Sequence, residues 1–187
     1  MPLPLEPMLA RALPDGRHIT DFSPSDHVLE VKYDGHRLIV EKESHDLIIA
    51  YSRAGHVREL TPAIVAQLKR MPTGVYDGEL IIPGGTSTDV VNLDLIPRSQ
   101  LVLFDMMRTS GQDITGWPLH QRRRFLEEAT RLVNTDRVQL AEQFAPSEDT
   151  LKMLWNRGDE GAIVKHRCSR YAAGKRSPDW VKFKKSA

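Results

Sequence analysis

Lys32-Tyr33-Asp34-Gly35-His36-Arg37 sets a lysine at the end of an apolar alternating stretch, an acid in a tight turn and an arginine at the start of the next stretch. A lysine on rigid backbone at the mouth of a cleft can act as a nucleophile. With an ordinary pKa of about 10.4, only roughly one free lysine in a thousand is neutral near pH 7.5. Nearby cations and partial burial raise that fraction. Asp34 reads as a turn former rather than a chemical group, because Asp-Gly favours tight turns.

Strand parity groups the charged residues. Side chains alternate faces along a strand. Glu30 and Lys32 share a face opposite Leu29 and Val31, Asp77 and Glu79 share one opposite Tyr76 and Leu80, and Lys182 and Lys184 share one opposite Val181 and Phe183. From the residues alone these are equally the solvent faces of alternating strands. By the same measure Phe104 is a core residue and Glu79 and Glu160 are surface acids.

The elements that must position these groups are legible in outline. Pro2, Pro4, Pro7 and Pro14 make the first stretch an extended arm. Val28–Lys32, His36–Lys42 and Asp46–Ser52 read as three strands of an antiparallel meander. Thr61 caps a helix that starts at Pro62, carries Ile64, Val65 and Leu68 as its apolar stripe, and stops at Gly74. Strands are expected over Val75–Pro83 and Gln100–Met106, with a loop over residues 84–98 between them. Pro118 to Val133 reads as a helix burying Leu119, Phe125, Leu126, Ala129 and Leu132. Arg137–Phe144 is a strand, Ser147 caps a helix that Gly158 ends, and strands Gly161–His166 and Trp180–Lys184 follow. No linker divides the chain.

At 187 residues, with 40 % apolar and 27 % charged side chains, the chain suits one well-cored domain. The net charge of +1 predicts no strong overall affinity for polyanions, but residues 161–187 carry eight lysines and arginines against Asp179 alone. That segment suggests a local phosphate or nucleic-acid site, or a solvated basic tail. A single cysteine, Cys168, rules out an internal disulfide and argues against a cysteine-built zinc site. The N-terminus lacks the pattern of a signal peptide, and no apolar run approaches the ~20 residues of a membrane span. A reducing cytoplasmic compartment is the default expectation.

Lys32-Tyr33-Asp34-Gly35-His36-Arg37, Asp77-Gly78-Glu79-Leu80, Leu103-Phe104-Asp105, Glu160-Gly161-Ala162-Ile163-Val164-Lys165 and Trp180-Val181-Lys182-Phe183-Lys184, in this order, resemble the covalent nucleotidyltransferases. These are the ATP-dependent DNA ligases, RNA ligases and capping enzymes. Tyr51-Ser52-Arg53-Ala54-Gly55 and Arg170 to Trp180 are similar to the ligases of bacterial end joining. The resemblance implies an α+β nucleotidyltransferase fold, two antiparallel sheets flanked by helices around a nucleotide cleft. It implies AMP attachment at Lys32, with Lys165 and Lys182 on the nucleotide phosphate and Lys184 a second member of that motif. Glu30 would accept from the adenine amino group, Phe104 would stack on the base, and Arg37 and Arg53 would contact the sugar or a 5′-phosphate. Glu79 and Glu160 would hold Mg²⁺ or Mn²⁺. Both should then face the site, and because Glu160 and Lys165 differ in parity, Gly161 predicts a bulge.

ATP is implied over NAD, since only about 30 residues precede Lys32. The implied partners are nicked or broken double-stranded DNA, Ku, and a polymerase or nuclease module. The oligonucleotide-binding barrel that follows such a domain in these ligases is not expected in this chain. The alternatives are a nucleic-acid-binding module without catalysis, and an RNA ligase or capping-type enzyme.

Overall fold

The computed structural model describes residues 6–133 and 136–184. The chain runs through β1 (Leu9–Ala12), β2 (His27–Val31), β3 (His36–Lys42), β4 (Ile48–Ser52), β5 (Val57–Arg58) and helix α1 (Pro62–Arg70). It continues with β6 (Gly74–Ile81), β7 (Gln100–Thr109), β8 (Gln112–Asp113) and helix α2 (Leu119–Thr130). Last come β9 (Val138–Leu140), β10 (Gln143–Phe144), helix α3 (Glu148–Arg157), β11 (Gly161–His166) and β12 (Arg176–Lys184).

The strands form two sheets. One has the order β1-β12-β11-β2-β10; the other has β5-β4-β3-β6-β7-β8, with β9 paired to β7. Most pairs are antiparallel, as expected, but β1–β12 and β7–β9 are parallel, so both sheets are mixed.

Three apolar layers hold this arrangement. Leu38, Val40, Tyr76, Leu101 and Leu103 on one face of the larger sheet pack with Ile64, Leu68 and Leu126 of α1 and α2. Leu29, Val31, Ala162, Val164, Val181 and Phe183 of the smaller sheet pack with Leu151 and Leu154 of α3. Between the sheets lie Ile39, Val75, Val102, Phe104 and Met107, meeting Met8, Tyr171 and Trp180. The parity argument therefore holds on both sheets: one face is apolar core and the opposite face looks toward the other sheet.

Several expectations need correction. β2 is not part of a meander with β3 and β4; it lies in the smaller sheet and they lie in the larger. Residues 32–35 cross between sheets, and Gly35 runs so close to the Leu80 carbonyl that an added Cβ would overlap it. The single strand expected over Arg137–Phe144 is likewise split, β9 joining one sheet and β10 the other. Short polar links look alike in sequence whether they turn back or cross. The extended arm contributes a strand, β1, and buries Met8. Helix α1 starts at Pro62 with Thr61 accepting from the Ile64 amide at 3.4 Å, but it ends at Arg70, and Gly74 opens β6 instead. Gly161 marks no bulge: β11 pairs in regular register from its first residue. Glu160 precedes the strand, so strand parity does not govern it. Glycine is needed at 161 because a Cβ would overlap the Phe183 carbonyl oxygen.

Helix α2 ends at Thr130, short of Val133, and buries Leu119, Leu126 and Ala129 as expected, but its inward face differs in part from the one its apolar residues suggest. Phe125 and Leu132 are exposed, while Arg122 and Arg123 are buried beside Leu119, Leu126 and Ala129. Arg122 and Asp105 are both fully buried; the guanidinium donates twice to the carboxylate, at 2.8 Å each, and also to the carbonyls of Trp117 and Ser169. Among the described residues no helix is long and apolar enough to cross a membrane.

Breaking a buried pair by removing one partner typically costs about 3–5 kcal/mol. Arg122→Ala is expected to lose that much, read as a lower urea midpoint at unchanged slope. Arg122→Met combined with Asp105→Leu is expected to lose less than the single change, because no charge is then stranded.

Candidate active site

A cavity of about 260 Å³ opens between the two sheets. The smaller sheet contributes Glu30 from β2, Lys32 just past its end, Ile163 and Lys165 from β11, and Arg176, Trp180 and Lys182 from β12. The larger sheet contributes Arg37 from β3, Glu79 from β6 and Phe104 from β7, with Arg53 from the turn after β4. Register explains the first set: Ile163 is opposite both Glu30 and Lys182, and Lys165 is opposite Trp180, so all five side chains share one sheet face. Eight of the ten residues singled out in the sequence, Glu30, Lys32, Arg37, Arg53, Glu79, Phe104, Lys165 and Lys182, line this one cavity. Glu160 and Lys184 join it through Lys32. Glu160 accepts from Lys32 Nζ on one oxygen and faces Lys184 Nζ at 3.2 Å on the other. Lys185 lies outside the described residues.

Arg37 is anchored rather than free. Its Nε and Nη2 donate to the two oxygens of Asp77 at 2.5 and 2.7 Å, and Nη2 also donates to the Met8 carbonyl. Asp77 is fully buried and accepts further from the Tyr171 hydroxyl at 2.5 Å. Burial works against the Arg37 charge, but Asp77 outweighs it and holds the guanidinium above its ordinary pKa. The bidentate edge of Arg37 is thus taken by Asp77, and Nη1 is the nitrogen left for a ligand. Its guanidinium carbon also stands 4.5 Å from the centre of the Phe104 ring.

The electrostatics separate the two glutamates. Burial pushes the Glu79 carboxyl up to about 7, against the pull of Arg37 and Lys32. Glu160 instead has two lysines in contact. At the inner end, Glu30 is 2 % exposed, accepts from Gln143 Nε2 at 2.8 Å and pairs with Lys165 at 2.5 Å.

Several residues escaped the sequence reading. Arg176 and Trp180 line the cavity, and Tyr171 and Asp77 hold Arg37 in place. Arg176 and Tyr171 sit within the stretch from Arg170 to Trp180 that carried the resemblance, so a signal was present without a role attached. Gln143 had none, since only the pairing of β10 with β2 sets it opposite Glu30.

Comparison with known proteins agrees with this geometry. A family model described as the ATP dependent DNA ligase domain matches residues 7–184. A DNA ligase of Aeropyrum pernix is 30% identical over 98% of this chain and 34% of its own length. A probable DNA ligase of Anaeromyxobacter is 31% identical over 98% of this chain and 38% of its own length. The chain spans about a third of the length of these curated relatives. The ligase domain of M. tuberculosis LigD superposes with a TM-score of 0.80 at 27% identity, covering 96% of this chain and 59% of that one. A mycobacterial DNA ligase D complexed with ATP and MES gives the same score and identity over 96% of this chain and 60% of its own. With the family model covering nearly every residue and the cavity gathering the motif side chains, the chain belongs to the ATP-dependent DNA ligase domain family.

Proposed function

We propose that residues 1–187 form the adenylation domain of an ATP-dependent DNA ligase, with Lys32 as the site of AMP attachment. The observation that carries this reading is the convergence of Lys32, Glu30, Glu79, Phe104, Lys165 and Lys182 on one cavity between the sheets. Lys32 Nζ attacks the α-phosphorus of ATP; a P–N bond forms and the P–O bond to pyrophosphate breaks. The proton leaving Nζ has an acceptor already in contact, Glu160. Lys182 and Arg176 stand where cations can offset charge on the phosphoryl oxygens. AMP then passes to a DNA 5′-phosphate, and the 3′-hydroxyl displaces it to form the phosphodiester.

Mg²⁺ or Mn²⁺ fits Glu79 and Glu160, two hard oxygen donors. Among the described residues no cluster of three or more His, Cys, Asp or Glu forms a metal site, so a cation held by Glu79 and Glu160 would need further oxygen ligands from outside the protein. Such a cation supplies neutralisation of phosphate charge. Glu79 is the better prepared of the two, because burial leaves its charge poorly compensated.

The likeness to mycobacterial ligase D supports a place in DNA repair by end joining, on nicked or broken duplex, with Ku or a polymerase or nuclease module as partners. A bacterial cytoplasmic, nucleoid-associated location follows from that reading.

Incubation with α-labelled ATP and Mg²⁺ is expected to leave label on the denatured protein, and Lys32→Ala to leave none. GTP is expected to label poorly. If the wild type neither takes label nor seals a pre-adenylated nick, the proposal fails.

The raised Glu79 pKa also has a sign. The neutral form is favoured in the fold, so the stability that Glu79 contributes is fully present below about 4.5 and is lost as pH rises through about 7. Glu79→Gln is therefore expected to gain stability relative to wild type between pH 5 and pH 8, measured by urea unfolding at both. An equal difference at the two pH values contradicts this.

A further inference from the structure

The nucleotide cavity uses only part of the basic segment at residues 161–187. Arg167 lines a second cavity, of about 250 Å³, together with His120, Arg123, Arg124 and Glu127 of α2 and Gln143 of β10. It lies at the edge of the smaller sheet, where β10 pairs with β2. The two cavities share no lining residue. Three guanidiniums and an imidazole line the second one against a single carboxylate. Like charges gathered in one place repel one another, and an anion among them removes that cost. At roughly 30 Å³ per water, there is room for an oxyanion with part of its hydration.

Each arginine keeps donors in reserve. Arg123 is 8 % exposed; its Nε donates to Glu127 Oε1 at 2.9 Å and its Nη2 to the Ala141 carbonyl at 2.8 Å. Arg123 Nη1 has no hydrogen-bond partner among the described residues, and Glu30 Oε1 is 4.0 Å away. Arg167 donates through Nε alone, to the carbonyls of Pro24 and His27, so both its terminal nitrogens are unused. Arg124 is exposed and pairs with no acid among the described residues. The backbone that carries these groups is fixed. The Arg167 amide donates to the Asp26 carbonyl at 2.8 Å, and its carbonyl accepts from the His120 amide at 2.9 Å and from His120 Nδ1 at 3.0 Å. Glu127 on Arg123 Nε shows that an oxyanion seats here, and at 50 % exposure that side chain can swing aside.

We propose that this second cavity is an anion site, separate from the nucleotide cavity, that takes a phosphate group between Arg123, Arg124 and Arg167. Planar guanidinium forks match phosphate oxygens, and several of them suit a group with more oxygens and more charge than one carboxylate. The group is either the free ion or a phosphate of a nucleic-acid backbone. The assignment stands whether or not the first cavity takes ATP.

The test is an NMR titration of the whole chain with sodium phosphate, read on the side-chain N–H signals of Arg123, Arg124 and Arg167, with sodium chloride at matched ionic strength as control. Phosphate also meets Arg53, Arg176 and Lys182 in the first cavity, so only signals from the second cavity count. Wild type is expected to show saturable shifts there with phosphate and none that saturate with chloride. Arg124→Ala is expected to weaken that binding about tenfold, the equivalent of one charge-assisted hydrogen bond, at an unchanged urea midpoint. Glu127→Gln is expected to bind phosphate several-fold more tightly, because the competing carboxylate is gone. Shifts confined to the first cavity, or matched by chloride, overturn the proposal. Unchanged phosphate affinity in Arg124→Ala, or no gain in Glu127→Gln, overturns it as well. Duplex DNA added to the phosphate-loaded protein separates the two sources. Displacement of phosphate from these three signals assigns the site to a backbone phosphate, and signals left unmoved assign it to the free ion.

Discussion

The buried carboxylate of Asp77 is the point on which the two sheets hinge. A lone carboxylate at 0 % exposure is costly unless it is paired and hydrogen-bonded. Here Arg37 covers both oxygens, the Tyr171 hydroxyl adds a third bond, and Met8 closes the loop by donating its amide to Tyr171 and accepting from Arg37. The strands β3 and β6, the segment leading into β1 and the turn before β12 therefore meet at one group. Only an arginine can make this junction, because its planar fork matches a carboxylate bidentately and stays charged when buried. The same guanidinium lies against Phe104, so the floor of the cavity is placed by the pair to which Met8 and Tyr171 bind from outside the larger sheet.

A second buried pair does the equivalent work behind the larger sheet. Asp105 of β7 and Arg122 of α2 are fully buried, and Arg122 also reaches the Ser169 carbonyl. That bond ties α2 to the segment from which Tyr171 descends. The cavity is thus lined by side chains whose supports are themselves charged pairs in low-dielectric surroundings. Such pairs add little net stability, but they are intolerant of misplacement. The cavity side chains are thereby held in fixed relative positions.

Much of the local structure was legible. The β3 boundaries, the Thr61 and Ser147 caps and the left-handed Gly158 stop follow from side-chain chemistry acting within a few residues. Alternation grouped Glu30 with Lys32 and Lys182 with Lys184 but left those faces equally open to solvent; the ordered motifs, not the parity, pointed to one site, and the packing of sheet on sheet makes the faces line one cavity. What misled was equally physical. Arg122 and Arg123 count as polar in any periodicity, so the stretch was expected to bury Phe125 and Leu132 along with Leu119, Leu126 and Ala129, and only the last three are buried. Short links at 32–35 and 141–142 carry no mark that distinguishes a hairpin from a crossing between sheets.

By itself the sequence determined most of the strands and helices and the ordered motifs, because these depend on neighbours along the chain. Only the tertiary structure decided which partner each charge takes. It gives Arg37 to Asp77, Glu160 to Lys32 and Lys184, and Glu30 to Gln143 and Lys165. The reason is that most of these partners lie far apart along the chain, 40 positions for Arg37 and Asp77, 113 for Glu30 and Gln143 and 128 for Lys32 and Glu160, and burial makes the inner ones obligatory.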